Sequence, residues 1–113
     1  MDKDKIRLWI KLLESGKYRC NGGGRLKTKE GRYSAAGVIT EYLLGKSDKK
    51  QEDGSFIYRG NFYSLGLEVM RKLKISYNDF CSYTFNGINV ATILEHQSIK
   101  NSIKALKYLL TLH

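Results

Sequence analysis

The side chains best suited to covalent chemistry are few in this 113-residue chain: two histidines, His96 and His113, and two cysteines, Cys20 and Cys81. A zinc site needs several ligands at helical or turn spacing, but His96 has only Glu95 beside it and His113 is the last residue. A thiolate nucleophile would require Cys20 or Cys81 to meet His96 in space, and no motif brings them together. Neither cysteine lies in CxxC spacing, so both are expected to be reduced in a cytosolic protein. Gly45-Lys46-Ser47 matches the end of a phosphate-binding P-loop. The glycine required five positions earlier is Thr40, however, and the tripeptide ends a predicted helix instead of following a strand. These residues argue against an enzyme, a metal site or a bound cofactor, and in favour of a protein that works by binding.

The strongest binding signal is a basic segment. Lys17, Arg19, Arg25, Lys27, Lys29 and Arg32 face one acidic residue, Glu30, within sixteen positions. Over the whole chain 20 Lys and Arg oppose 11 Asp and Glu, a net charge of +9. Such a surplus concentrates anions and speeds their association. In an extended piece alternate residues share a face, so Lys17 pairs with Arg19, and Arg25 with Lys27 and Lys29. Glycines 22–24 allow an anion close to backbone N–H groups, and Tyr18 and Tyr33 offer faces on which bases stack. Lys17, Tyr18, Arg19, Arg25, Lys27, Lys29, Arg32 and Tyr33 therefore form the candidate ligand-binding set, for a nucleotide or a nucleic acid. The alternative is a solvated hairpin whose charges only aid solubility. A second stripe, Lys100, Lys104 and Lys107, reads as ordinary solvated helix surface.

The elements that must position these residues follow from periodicity. Ile6, Trp9, Ile10 and Leu13 recur at helical spacing, with Asp2 or Asp4 as cap and Ser15-Gly16 as stop. Tyr18-Arg19-Cys20 and Arg25-Leu26-Lys27 read as two extended pieces joined by the turn Asn21-Gly22-Gly23-Gly24, with a second turn at Lys29-Glu30-Gly31. Ser34 caps a second helix carrying Ala35, Val38, Ile39 and Tyr42, stopped by Gly45. Residues 46–54 are polar and read as a mobile loop. Phe56 to Arg59 and Phe62-Tyr63 flank Gly60-Asn61, a hairpin signal. Ser64 opens a third helix with Leu65, Val69, Met70 and Leu73 inward. Residues 77–85 are aromatic and fit no pattern, Asn86-Gly87 is a turn, and helix resumes from Asn89. Ser98 caps a final helix whose Ile99, Ile103, Leu106 and Leu110 fit a short heptad register. That stripe either packs on its own domain or pairs with a second subunit as a homo-oligomer. The sum is a single α+β domain over residues 1–113, mainly helical with a short antiparallel β-hairpin sheet.

An apolar fraction of 42% is enough for one domain to fold alone. No stretch approaches the roughly 20 apolar residues of a membrane span. The charged start, Met1 to Lys5, is unlike a signal peptide. The expected location is the cytoplasm, with no membrane partner.

Trp9, Leu13, Ser15, Gly16, Tyr18, Leu26, Tyr33, Gly37 and Val38 together resemble the opening pattern of a family of small uncharacterised phage and prophage proteins. Leu65, Glu68 and Val69 resemble its middle helix, and Val90 to Glu95 its closing helix. Two cysteines usual before Gly-Val are Ala35 and Ala36 here, Gly66 stands for a proline, and the turn before the last motif is missing apart from Asn78-Asp79. The resemblance implies a phage protein active in the host cell and carries no catalytic residues. With the basic segment it leads to an expected inhibitor of bacterial defence, such as an anti-CRISPR protein, whose partner is an anionic ligand or a bacterial defence protein. A nucleic-acid-binding accessory protein of phage replication or transcription, and an assembly partner using the C-terminal helix, are the alternatives.

Overall fold

In the computed structural model, which describes residues 1–20 and 24–112, the helix starts are set by short polar side chains. Asp2 accepts the N–H of Lys5 and opens α1, Lys3–Glu14. Ser34 accepts that of Gly37 and opens α2, Ala35–Leu44. Ser76, Asn89 and Ser98 do the same for α4, Tyr77–Ser82, for α5, Val90–His96, and for α6, Ile99–Thr111. Each cap satisfies an N–H that the helix itself cannot. Gly16, with φ of 74°, takes the left-handed conformation that releases the chain from α1.

The third helix departs from expectation. α3 covers Leu67–Leu73 and is capped by Gly66, with no side-chain cap bond. Ser64 does not open it: the N–H of Leu65 is donated to the Glu95 carboxylate 2.9 Å away, and the chain stays extended through Gly66. The aromatic stretch with no sequence pattern is α4 followed by β1, Thr84–Phe85. β1 turns through Asn86-Gly87 into β2, Ile88–Asn89, with Thr84 opposite Asn89 and Phe85 opposite Ile88. Both turn residues have positive φ, 53° and 79°, as a tight reversal between antiparallel strands requires. The domain is thus α+β and mainly helical, with a two-stranded antiparallel sheet.

That sheet is not where the basic segment lies. Residues 18–20 and 25–27 do not pair with each other, and the turn expected at Asn21-Gly22-Gly23-Gly24 lies, apart from Gly24, outside the described residues. Tyr33 sits between the two pieces, bridged in parallel to Cys20 and antiparallel to Lys27. The chain reverses at Lys29-Glu30-Gly31, closed by Thr28 N–H donating to Gly31's neighbour, the Arg32 carbonyl, at 2.8 Å. Phe56 donates its N–H to Lys27 and is bridged to Lys50, so five segments lie side by side for one residue each. Residues 46–54 are therefore partly built into this ribbon. Asp53 gathers Ser55, Gln51 and Arg25 around one carboxylate. The Phe56–Tyr63 reversal pivots on Arg59-Gly60, one residue earlier than expected, with Tyr58 and Asn61 exchanging both N–H bonds.

The core joins Ile6, Trp9, Ile10 and Leu13 of α1 to Val38 and Ile39 of α2 and to Leu106 and Leu109 of α6. α2 packs so tightly on the ribbon that a Cβ at Gly37 would collide with the Leu26 carbonyl oxygen. The buried face of α6 is Ser102, Ala105, Leu106 and Leu109, while Ile99, Ile103 and Leu110 are only half-buried. The heptad reading placed the stripe by apolarity alone. The small residues Ser102 and Ala105 are instead fully buried, and Ser102 Oγ donates to the Ile93 carbonyl. Most of this face is used within the domain. No helix among the described residues is long and apolar enough to cross a membrane.

Candidate functional site

The ribbon divides the basic segment into buried and exposed members. Lys27 is the clearest correction to the alternate-face reading. Its side chain is 15% exposed and its ammonium lies 3.3 Å from Glu41 Oε1. It also lies between two rings, 5.0 Å from the Tyr33 centroid and 4.6 Å from that of Phe56. Tyr33 is buried too, with its hydroxyl 2.6 Å from Glu41 Oε2, so its ring is not a free stacking face. Tyr18 is half-buried and meets Tyr33 edge to face. Arg25 does not act with Lys27, since its Nε donates to Asp53 at 3.1 Å and its guanidinium covers Phe62.

Lys17, Arg19, Lys29 and Arg32 are the members that remain exposed, and none has a carboxylate within 4 Å among the described residues. Tyr33 donates its N–H to the Arg19 carbonyl, which sets Arg19 and Arg32 on neighbouring segments. Lys100 and Lys104 are exposed on α6, and Lys107 reaches Glu14 at 3.6 Å.

Two buried carboxylates, neither singled out by sequence spacing as a site, organise the interior beside this surface. Burial alone would push the Glu41 carboxyl up. The hydroxyls of Tyr33 and Tyr58 and the Lys27 ammonium outweigh it and hold the group below its ordinary value. The same contacts, after burial, push both tyrosine hydroxyls far up, so they remain donors. Glu95 differs. It is 5% exposed and accepts from Leu65 N–H and, at 3.3 Å, from the Tyr77 hydroxyl. No lysine or arginine lies within 4 Å among the described residues. Burial dominates there and raises its carboxyl above the usual range, with Leu65, Tyr77 and the neighbouring His96 opposing. Tyr77 is itself pushed up to about 12, by burial first and then by Glu95.

Glu95 is the buried floor residue among those lining a cleft of about 730 Å³, whose exposed lining includes Tyr63, Arg59 and Arg71, with Glu68 beside Arg59. A carboxyl raised on folding binds more protons in the folded than in the unfolded chain. Its ionised form therefore lowers stability as pH rises above the unfolded value near 4.5. Glu95→Gln is expected to melt higher than the parent at pH 7 and to converge with it near pH 4. Thermal melts at the two pH values check this, and a Gln variant that melts lower at pH 7 refutes it.

Cys20 is half-buried, its thiol is pushed up by burial, and Cys81 is exposed, both as free thiols. Among the described residues no group of three His, Cys, Asp or Glu is placed to hold a metal ion. Compared with known proteins, the chain matches no family model, no curated protein and no solved structure.

Proposed function

We propose that this chain is a non-enzymatic, phage-encoded inhibitor of bacterial defence that competes for an effector's nucleic acid through an exposed cationic surface. The observation that carries the binding mode is the set Lys17, Arg19, Lys29 and Arg32, exposed and without carboxylate partners among the described residues. Cations already held by carboxylates release little on meeting a phosphate, whereas unpaired surface cations add attraction and displace counterions from the nucleic acid. Phosphate contacts position a protein without reading sequence, so the expected mode is backbone contact with little sequence preference. The phage setting and the defence target rest on the family resemblance.

The test is fluorescence anisotropy of a labelled single-stranded oligonucleotide across a salt series. Four phosphate contacts predict a log–log slope of roughly −3 for single strands. Arg19→Glu combined with Arg32→Glu should weaken binding more than about tenfold and flatten the slope by roughly 1.5. The fold should survive, because exposed charges contribute little to stability. Lys100→Glu with Lys104→Glu serves as the control and should change binding much less. Binding that ignores salt, or a control that weakens binding more than the ribbon variant, refutes the reading.

A further inference from the structure

The two buried carboxylates invite comparison because one is complete and the other is not. Glu41 has a lysine and two tyrosine hydroxyls around it. Glu95 has one backbone N–H and one shared hydroxyl, no cation within 4 Å among the described residues, and an open cleft above it. A carboxylate has about four lone-pair positions, so Glu95, which lines the cleft, keeps acceptor capacity that its two partners do not use. A buried charge in that condition is costly unless a partner arrives. What arrives must bring hydrogen-bond donors to the floor.

The exposed lining is net cationic, with Arg59 and Arg71 against Glu68. Arg71 is exposed with no carboxylate within 4 Å among the described residues, and Arg59 is 63% exposed while touching Glu68 at 3.1 Å. Tyr63, 47% exposed, presents a ring beside them. A volume of about 730 Å³ lies in the range of small-molecule and cofactor sites. Acceptors at the floor, a ring at the side and cations at the mouth describe a ligand with a donor-bearing head, a flat body and an anionic tail. Among the bases, guanine alone presents two adjacent donors, N1–H and the 2-amino group, that match both oxygens of one carboxylate.

We infer that this cleft is a guanine-nucleotide site, in which Glu95 accepts from the base edge, Tyr63 flanks the ring, and Arg59 and Arg71 hold the phosphate. The site is separate from the cationic ribbon, since Lys17, Arg19, Lys29 and Arg32 do not line it. Its failure therefore leaves the proposed function standing, and the reverse also holds. A bound guanine supplies Glu95 with the donors that the fold itself omits, which explains why a domain this small keeps an ionisable group buried at the end of an open cleft.

Isothermal titration calorimetry of the full chain with GMP, IMP, AMP and guanosine tests the assignment. GMP should bind at least about tenfold more tightly than IMP, which lacks the 2-amino donor, and than AMP, which faces the carboxylate with an acceptor. Glu95→Gln should erase that preference, because an amide offers one donor and one acceptor to the base edge. Arg71→Ala should weaken GMP several-fold and leave guanosine unchanged. Absence of GMP binding at millimolar concentration, equal affinity for AMP, or a Gln variant that retains the preference overturns the assignment. Should Glu95→Gln not fold, the GMP-to-IMP ratio on the parent chain decides alone.

Discussion

Trp9→Ala is expected to cost about 3–5 kcal/mol, a large part of the roughly 5–15 kcal/mol that holds a domain together. The indole is fully buried at the junction of α1, α2 and α6, so truncation leaves a cavity that three helices cannot close without losing their own contacts. A polar loss adds to the apolar one. The ring Nε1–H donates to the Ala35 carbonyl at 2.9 Å, at the first turn of α2, and alanine offers that oxygen nothing. Trp9→Phe separates the two contributions: it restores most of the volume but not the donor, and should cost clearly less than alanine. Because Trp9 is the chain's single tryptophan, urea unfolding must be followed by circular dichroism. A midpoint for Trp9→Ala within a few tenths molar of the parent would mean that the α1 face does not anchor the core.

That anchor was legible in sequence because helical periodicity is a local property. Ile6, Trp9, Ile10 and Leu13 repeat at the spacing of one face, and the structure buries all four. The caps at Ser34 and Ser98, and one at Asp2 or Asp4 that the structure places at Asp2, were readable for the same reason: each acts within three residues of itself. The ribbon was not readable, because its pairings join segments from 6 to 29 residues apart for one residue each, leaving no alternation long enough to register. Lys27 shows the consequence for the site. Its neighbours Arg25 and Lys29 suggested a shared exposed face, yet its partner, Glu41, comes from a helix fourteen residues away. Glu95 was visible only as the residue beside His96. Its importance depends on Leu65 and Tyr77, which reach it from 30 and 18 residues away. A lone carboxylate closing an otherwise apolar helical run, as in Val90 to Glu95, is the signal that could have pointed to it.

The second large effect should come from Glu41, which joins the ribbon to α2. Glu41→Gln keeps the size of the side chain but removes the charge that Lys27 faces. The ammonium, 15% exposed between two rings, is then left without its carboxylate, and one of the two tyrosine hydroxyls meets an amide N–H in place of an acceptor. Removing one partner of a buried pair costs about 3–5 kcal/mol, and the residual exposure of Lys27 places this case near the lower end. Removing both charges is a different experiment. Lys27→Met retains a long apolar stem against Tyr33 and Phe56, so Glu41→Gln with Lys27→Met should recover more than half of the single-variant loss. The pH dependence gives an independent reading with a fixed sign. Glu41 is held below its ordinary 4.5, so its contribution is complete above that value and disappears as pH falls through the folded value. Asp2 and Asp53, also held low, weaken the parent in the same acid window, whereas Glu95 acts with the opposite sign. The diagnostic quantity is therefore the difference between parent and Glu41→Gln: large at pH 6–7, and narrowing steadily below about pH 4.5. Parallel curves across that range would show that the lost stability came from packing and hydrogen bonds alone, and that the carboxylate's charge does not hold Lys27 in place.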